Sequence, residues 1–213
     1  MGKGDNFERE VCRLLSIWWT DGTNDDVCWR NRTRRTSKTP KAEKQLGDLI
    51  PTHPTFIPFT GVFNVELKTG YKKTKGGSRY KQVPWDLLDL IDSKDEGKVF
   101  KAFWAQTVLD ARISQRFPLL IFKRDYHTPV VAIWTSHFNK LRSIIGEPKK
   151  MDMIRIYPKN NDIDTIHLFA FHKFFNWLHP DAVKMIYTTD FNDRRLKVVK
   201  RNRLIKRRTN VKP

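Results

Sequence analysis

The chain of 213 residues contains little of what marks several common classes of protein. Its two cysteines, Cys12 and Cys28, are too few for a disulfide scaffold or for a zinc site made of four thiolates. The longest apolar run, residues 117–122, is far shorter than the roughly 20 residues of a membrane-spanning helix. Residues 1–10 hold no apolar segment, and Asn6 stands where a myristoylation signal needs Ser or Thr. We therefore expect a soluble protein of a reducing compartment, without a secretory signal.

Signatures of several enzyme classes are missing as well. The glycine-rich segment 76–78 lacks the Lys-Ser/Thr pair of a P-loop, so we do not expect ATP hydrolysis. The G-x-S-x-G turn of hydrolases is absent, and neither cysteine has the sequence context of a nucleophile. His167 and His172 do not have the i, i+4 spacing of helical zinc sites. We interpret the histidines mainly as ordinary polar residues, at positions 53, 127, 137, 167, 172 and 179.

Positive charge is what the chain has in excess, with 41 Lys and Arg against 23 Asp and Glu and a formal net charge of +18. Residues 194–213 carry ten Lys or Arg and no acidic residue, and two further basic clusters lie at 30–44 and 71–81. Such a chain favours polyanions as partners, because each phosphate that it neutralises releases counterions. Since the clusters recur in separate segments, we favour a nucleic acid over anionic lipid or a merely solvated surface.

Hydrophobic periodicity divides the chain into helices and strands, and its 39% hydrophobic and 12% aromatic residues suffice for a folded core. Helical spacing predicts helices at 5–19, 83–91, 98–115, 136–145 and 169–178. Alternating or β-branched runs predict strands at 27–35, 45–51, 62–68, 117–123, 129–135 and 153–157. The order predicts an α/β fold with a mixed central sheet flanked by helices. We expect one domain over residues 1–190 and a basic, flexible tail over 191–213.

Two carboxylates and a lysine form the most informative pattern. Asp48 follows Gly47 inside an otherwise apolar segment, and Glu66 and Lys68 project from one face of the next strong strand. A carboxylate buried in a strand interior needs a cation or a hydrogen-bonding partner. Neighbouring strands lie roughly 5 Å apart, so Asp48 and Glu66 could share one Mg²⁺, which prefers such oxygen ligands. Lys68 would then lie beside the metal, where it could orient a water molecule and stabilise charge on phosphorus.

The residues G-D-x₁₇-E-L-K, from Gly47 to Lys68, resemble the PD-(D/E)xK nuclease signature, with glycine in place of the usual proline. The segment KGDNFERE at residues 3–10 is similar to the start of archaeal-type Holliday junction resolvases and of related restriction-endonuclease-like phage nucleases. In those proteins a glutamate of the first helix joins the active site, and its match here is Glu8. The resemblance implies a restriction-endonuclease-like core of α-β-β-β-α-β order, which agrees with residues 5–123, and a C-terminal α+β extension.

This resemblance implies a metal-dependent DNA endonuclease with four catalytic residues: Glu8, Asp48, Glu66 and Lys68. Asp48, Glu66 and the main-chain carbonyl of Leu67 would bind Mg²⁺, for which Mn²⁺ would substitute. Hydrolysis would leave a 5′-phosphate and a 3′-hydroxyl. The resolvase-like start implies branched DNA as substrate, a homodimer, and the cytoplasm of a prokaryotic or phage-infected cell. The basic residues expected to contact the nucleic-acid backbone are Arg34, Arg35, Lys72, Lys73, Lys75, Arg79 and Lys81.

Simpler interpretations of these residues remain open at this point. Glu66 and Lys68 could form an exposed ion pair, and Asp48 could be an ordinary turn residue. Glu10 is as good an acid for the first turn of the helix as Glu8, and either could merely complement the helix dipole.

Other functions remain open as well. Gln106 in the helix after the motif could lie near the site, as polar residues do in related nucleases, or on the surface. The aromatic run 169–178 could stack nucleobases, although such residues at helical spacing more often form a core or a dimer interface. The protein could be a non-catalytic, basic nucleic-acid-binding protein, a restriction-type nuclease or an RNA-processing nuclease.

Overall fold

The computed structural model describes residues 3–31, 47–69, 98–123, 127–157 and 165–189, and the structural statements below concern these residues. The predicted helix 83–91, the basic segment 71–81 and the tail 191–213 lie outside them. No helix within the described ranges has both the length and the apolar composition that crossing a membrane requires.

Helix α1, Lys3–Trp19, agrees closely with the predicted helix 5–19. It packs against the core by one apolar stripe, whose buried residues recur every four positions: Phe7, Val11, Leu15 and Trp19. The indole N–H of Trp19 donates to the carbonyl of Thr55 at 3.0 Å. The end of the helix is therefore tied to the segment that precedes the main sheet.

A two-stranded antiparallel sheet follows, formed by β1, Cys28–Arg30, and β2, Leu49–Pro51. Within the described residues both strands are shorter than the predicted runs 27–35 and 45–51, and they pair with each other rather than extend the main sheet. A 3₁₀ turn, Pro54–Phe56, and helix α2, Ile57–Val62, then lead into the next strand, and the sequence did not predict either of them. Proline at the start of each favours helical backbone there.

The main sheet has five strands in the order β3-β4-β5-β7-β6. These are β3, Phe63–Thr69, β4, Phe117–Lys123, β5, Val130–Trp134, β6, Ile154–Ile156, and β7, Ile166–Ala170. Helix α3, Lys98–Ser114, lies in sequence between β3 and β4, which are parallel, and the other neighbours are antiparallel. The predicted mixed sheet flanked by helices is confirmed.

Two hydrophobic cores cover the opposite faces of this sheet, and alternate residues of β4 enter one or the other. Leu119 and Ile121 join the larger core, together with α1, α4, Thr135–Ile145, α5, Phe171–Trp177, and α6, residues 180–189. Leu120 and Phe122 join the smaller core beneath α3. Burial on both faces explains why β4 is apolar almost throughout.

Strand β7 corrects one prediction. The run 169–178 is predicted as a single helix, but Phe169 and Ala170 belong to β7 and the helix begins at Phe171. The reason is tertiary, because β7 pairs with β5 on one side and with β6 on the other. Phe169, Phe174 and Phe175 are buried in the larger core, so these aromatic residues serve packing rather than base stacking.

Candidate active site

Asp48 is held against β3 by two contacts with the main chain. Its N–H donates to the carbonyl of Val65 at 2.8 Å, and its Oδ2 accepts the N–H of Leu67 at 2.7 Å. These hydrogen bonds involve the residues before and after Glu66, so they hold Asp48 beside Glu66. Gly47 permits this approach, because its φ is +86° and a Cβ there would lie 3.0 Å from the Val65 oxygen. Proline could not adopt this φ, which accounts for glycine at the first position of the motif.

Glu66 is almost completely buried, with 2% of its side chain exposed. Its Oε1 accepts the amide N–H of Gln106 at 2.8 Å and pairs with Lys68 Nζ. Its Oε2 is buried and has no hydrogen-bond partner among the described residues. The interpretation of Glu66 and Lys68 as an exposed ion pair is therefore wrong, and Gln106 faces the site rather than solvent. One oxygen of the central carboxylate is left for a further ligand.

The electrostatic surroundings of Glu66 favour an added cation. Burial raises the pKa of this carboxyl, the negative charge of Asp48 raises it further, and Lys68 opposes both effects. A positive ion beside the two carboxylates would stabilise their ionised forms, and their hard oxygen atoms suit Mg²⁺. Within the described ranges no three His, Cys, Asp or Glu side chains are grouped to hold a metal ion. A main-chain carbonyl and oxygen atoms of water or substrate would therefore have to complete the coordination.

Lys68 is held between Glu66 and the ring of Phe103. Its Nζ lies 5.4 Å from the ring centroid, a cation–π contact, and 21% of its side chain is exposed. Because alternate strand residues share a face, Lys68 and Glu66 both point from β3 toward α3. The ammonium group is thus fixed by the protein and still accessible from solvent.

Glu8 and Glu10 of α1 lie in different surroundings. Arg30 Nη1 contacts Glu8 Oε2 at 3.4 Å. Burial raises the pKa of the Glu8 carboxyl, and the positive charges of Arg30 and Lys68 oppose that shift. Glu10 instead pairs with Lys123 at 2.8 Å, and 45% of its side chain is exposed. Lys68 thus acts on the charge of Glu8, whereas Glu10 is bound to Lys123 at the surface, and the catalytic role of Glu8 stays a prediction.

Three residues near the site were not predicted from the sequence. Arg30 ends β1 and binds two acidic side chains of α1. Asn64, two residues before Glu66 on the same face of β3, is 1% exposed. Asp110 is buried on α3, four residues after Gln106, and its charge contributes to the raised pKa of Glu66. Once Gln106 is known to contact Glu66, periodicity leads to the other two residues. Asn64 shares a strand face with Glu66, and Asp110 shares a helix face with Gln106.

For the other predicted site residues, Leu67 and the basic residues, the structure describes only Leu67. The N–H of Leu67 donates to Asp48 and its side chain is buried, while metal binding by its carbonyl stays a prediction. The basic residues predicted to contact the nucleic-acid backbone lie outside the described ranges: Arg34, Arg35, Lys72, Lys73, Lys75, Arg79 and Lys81.

A mixed sheet flanked by helices, with the G-D motif held against the strand that carries E-x-K, defines the class of PD-(D/E)xK nucleases with a restriction-endonuclease-like fold. Residues 1–184 match the family model described as "Phage putative PDDEXK endonuclease", and the chain belongs to this family. No curated protein and no solved structure matches the chain significantly. The predicted membership of the PD-(D/E)xK superfamily is therefore confirmed, and the activity that it indicates is that of a nuclease.

Proposed function

We propose that this protein is a metal-dependent endonuclease that hydrolyses phosphodiester bonds in DNA. The observation that carries the proposal is the buried carboxylate of Glu66, which has Asp48 beside it, Lys68 on one oxygen and no described partner on the other. An ion pair that only stabilised the fold would need Lys68 beside Glu66 and no second carboxylate. A second carboxylate next to a buried first one is unfavourable unless a cation joins them, so the arrangement supports a divalent metal site.

The carboxylates of Asp48 and Glu66 would hold the cation together with the carbonyl of Leu67, with Mg²⁺ as the natural ion and Mn²⁺ as a substitute. When bound, the ion supplies positive charge that stabilises the negative charge on the scissile phosphate. The N–H of Leu67 fixes one oxygen of Asp48, and the amide of Gln106 fixes one oxygen of Glu66. Both carboxylates are therefore oriented before any substrate arrives.

Lys68 would orient the attacking water molecule, and Glu8 would support that water or a second ion from α1. The contacts of Lys68 with Glu66 and Phe103 hold its ammonium in place, and Arg30 restrains Glu8. Attack in line on phosphorus would break the bond to the 3′ oxygen. The products would be a 5′-phosphate and a 3′-hydroxyl.

Among DNA substrates we favour branched DNA cut by a homodimer, because of the resolvase-like segment at residues 3–10. A symmetric junction needs two symmetric cuts and hence two copies of the site. Leu109 and Ile113, four residues apart on α3, are 59% and 52% exposed and form an apolar face that a second copy could cover. The basic segments 71–81 and 191–213 would contact the backbone without reading bases.

Cleavage of labelled linear duplex, single-stranded, forked and four-way-junction DNA, and of RNA, tests this proposal. Each substrate is incubated with the parent protein and with Lys68→Ala, in Mg²⁺ and in EDTA. Lys184→Ala removes an exposed lysine that pairs with Asp181 and is the matched control. We expect Mg²⁺-dependent cutting by the parent and by the control, loss of cutting in Lys68→Ala, and preference for the four-way junction. Preference for linear duplex or for RNA would select the restriction-type or the RNA-processing function instead.

A non-catalytic nucleic-acid-binding protein is the rival function, favoured by the net charge of +18. It predicts tight binding of the same substrates without cutting in Mg²⁺ or Mn²⁺, and binding that Glu66→Gln leaves unchanged. This result would overturn the proposed endonuclease.

A further inference from the structure

Asn64 is a polar residue in the protein interior, and hydrophobic packing does not account for a buried amide at this position. It is 1% exposed, and neither its Nδ2 nor its Oδ1 has a hydrogen-bond partner among the described residues. Leaving a donor and an acceptor unpaired in a protein interior is unfavourable, whereas an apolar residue of similar size would carry no such cost. A buried amide in this state indicates a polar ligand that occupies the space beside it.

The surroundings of Asn64 relate it to the candidate active site. It lies two residues before Glu66, so both side chains project from the same face of β3. A Cβ added to Gly47 would lie 3.2 Å from the Asn64 oxygen, which places the amide beside the residue that precedes Asp48. Asn64 therefore belongs to the strand of Glu66, and its amide lies against the segment that positions Asp48.

The unpaired atoms of the two residues are complementary. Asn64 Nδ2 is a donor, and Glu66 Oε2, which is also buried and without a described partner, is an acceptor. The two side chains are separated by roughly 6.6 Å along the strand, and their unpaired atoms make no hydrogen bond to each other. One water molecule, with two hydrogen bonds of about 2.8 Å, bridges polar atoms up to about 5.6 Å apart, a separation that two side chains on one strand face can reach.

We propose that Asn64 is a positioning residue of this site and acts on Glu66 through one buried water molecule. Asn64 Nδ2 donates to the water oxygen, and the water donates to Glu66 Oε2. The water thereby fixes the direction of Glu66 Oε2, as Gln106 fixes that of Oε1. Oε2 retains a lone pair for the cation. The inference rests on the proposed function, because the role of Glu66 in binding a divalent ion is part of that proposal. It adds a residue of this chain whose side chain would contact neither metal nor DNA.

Two variants and two measurements test the role of Asn64. Asn64→Ala removes the amide, whereas Asn64→Ser keeps a hydroxyl that can hold the water. Thr107→Val is the matched control, since it removes a buried polar group of α3 whose hydroxyl is bound to the carbonyl of Phe103. Mn²⁺ binding to the protein without DNA is followed by electron paramagnetic resonance, and the side-chain amide of ¹⁵N-labelled Asn64 is examined for a nuclear Overhauser effect to water.

We expect a water contact at the Asn64 amide in the parent and Mn²⁺ affinity that is roughly tenfold weaker in Asn64→Ala, the usual effect of losing a residue that orients a ligand. Asn64→Ser and Thr107→Val should stay close to the parent. The role of Asn64 is overturned if its amide shows no water contact, or if the parent, Asn64→Ala and Asn64→Ser bind Mn²⁺ equally well. Cutting by the parent would still uphold the proposed function in that case. A parent that neither binds Mn²⁺ nor cuts would overturn the proposed function and the positioning role together, even if the water contact were seen.

Discussion

The two faces of β3 differ in composition although both are largely buried. The apolar face packs into the larger core and consists of Phe63, Val65 and Leu67. The polar face turns toward α3 and consists of Asn64, Glu66 and Lys68. The apolar face needs only contacts, whereas each polar group must find a partner in α3, in the main chain near Asp48 or in a bound ligand. One seven-residue strand thus separates residues that maintain the fold from residues suited to chemistry.

The strongest test of this separation is Glu66→Gln on the polar face. The amide retains the shape of the side chain but removes the charge that would hold a cation. We expect Mg²⁺-dependent cutting to fall on the order of 10²–10³-fold, as for the loss of one electrostatic contact at a reacting centre. Single-turnover cleavage measures this. Urea unfolding below pH 4.5, where the Glu66 carboxyl is protonated in both states, should show a free energy of unfolding within about 1 kcal/mol of the parent, because no cavity is formed. Full activity in this variant would contradict the assignment of the polar face.

The matching change on the apolar face is Phe63→Ala. Phe63 is 1% exposed and packs against the rings of Phe59 and Phe117, at 5.2 and 6.0 Å between centroids. We expect the free energy of unfolding to fall by about 3–5 kcal/mol, because a cavity replaces the ring. Urea denaturation measures the loss. Phe63→Leu, which removes less volume, should lose less stability and keep the cleavage rate of the folded protein. A large loss of cutting in a folded Phe63→Leu would show that the two faces are not separable.

The two acids of α1 extend the comparison to a neighbouring element. Glu8→Gln should lower the cleavage rate by roughly tenfold, because this side chain would support the attacking water. Glu10→Gln should leave cutting unchanged and alter the free energy of unfolding by less than about 1 kcal/mol, since its pair with Lys123 is exposed. Steady-state cleavage and urea unfolding of both variants separate these outcomes. Equal effects on cutting would remove Glu8 from the site.

The smallest expected effect is a pH dependence of stability on the polar face. The pKa of Glu66 is raised in the folded protein, chiefly by burial, above an ordinary value of 4.5. The unfolded protein therefore releases this proton at lower pH than the folded protein does. The contribution of Glu66 to the free energy of unfolding is fully present below pH 4.5 and is lost as pH rises through the folded pKa. We expect the parent to lose stability relative to Glu66→Gln over this interval, by at most about 1.4 kcal/mol per pH unit. Urea unfolding across pH measures the difference. Mg²⁺ should weaken the pH dependence of the parent and leave that of Glu66→Gln unchanged. A stability difference that does not change with pH would contradict the raised pKa of Glu66.

Much of the fold and of the site could be predicted, because local patterns carry the information. The strand predicted at 62–68 differs from β3 by one residue at each end, since its alternation of apolar and polar residues is local. Asp48, Glu66 and Lys68 could be proposed from the sequence because G-D and E-L-K are short local patterns that need no knowledge of distant contacts.

The features that were not predicted depend on distant partners. Strand β7 is defined by its pairing with β5 and β6, and nothing in its aromatic spacing indicates that pairing. Whether Gln106 reached the site could not be decided from the sequence, because its contact with Glu66 depends on how α3 packs across β3. Asn64 has no sequence signal besides its distance from Glu66, and its burial is a property of the packed fold.

The alignment of β3 with β4 has a consequence for how the gene can change. Glu66 stands opposite Leu120, and Leu67 opposite Ile121. A slip of one residue would turn Glu66 into the larger core and Leu67 toward Gln106, since neighbouring strand residues face opposite sides. Substitutions at the exposed positions between Asp48 and Glu66 would leave this alignment intact, whereas a gained or lost codon would disturb it. A single-codon insertion or deletion there would have to be absorbed by the 3₁₀ turn and α2, and we expect the length of that interval to be more restricted than the identity of its exposed residues.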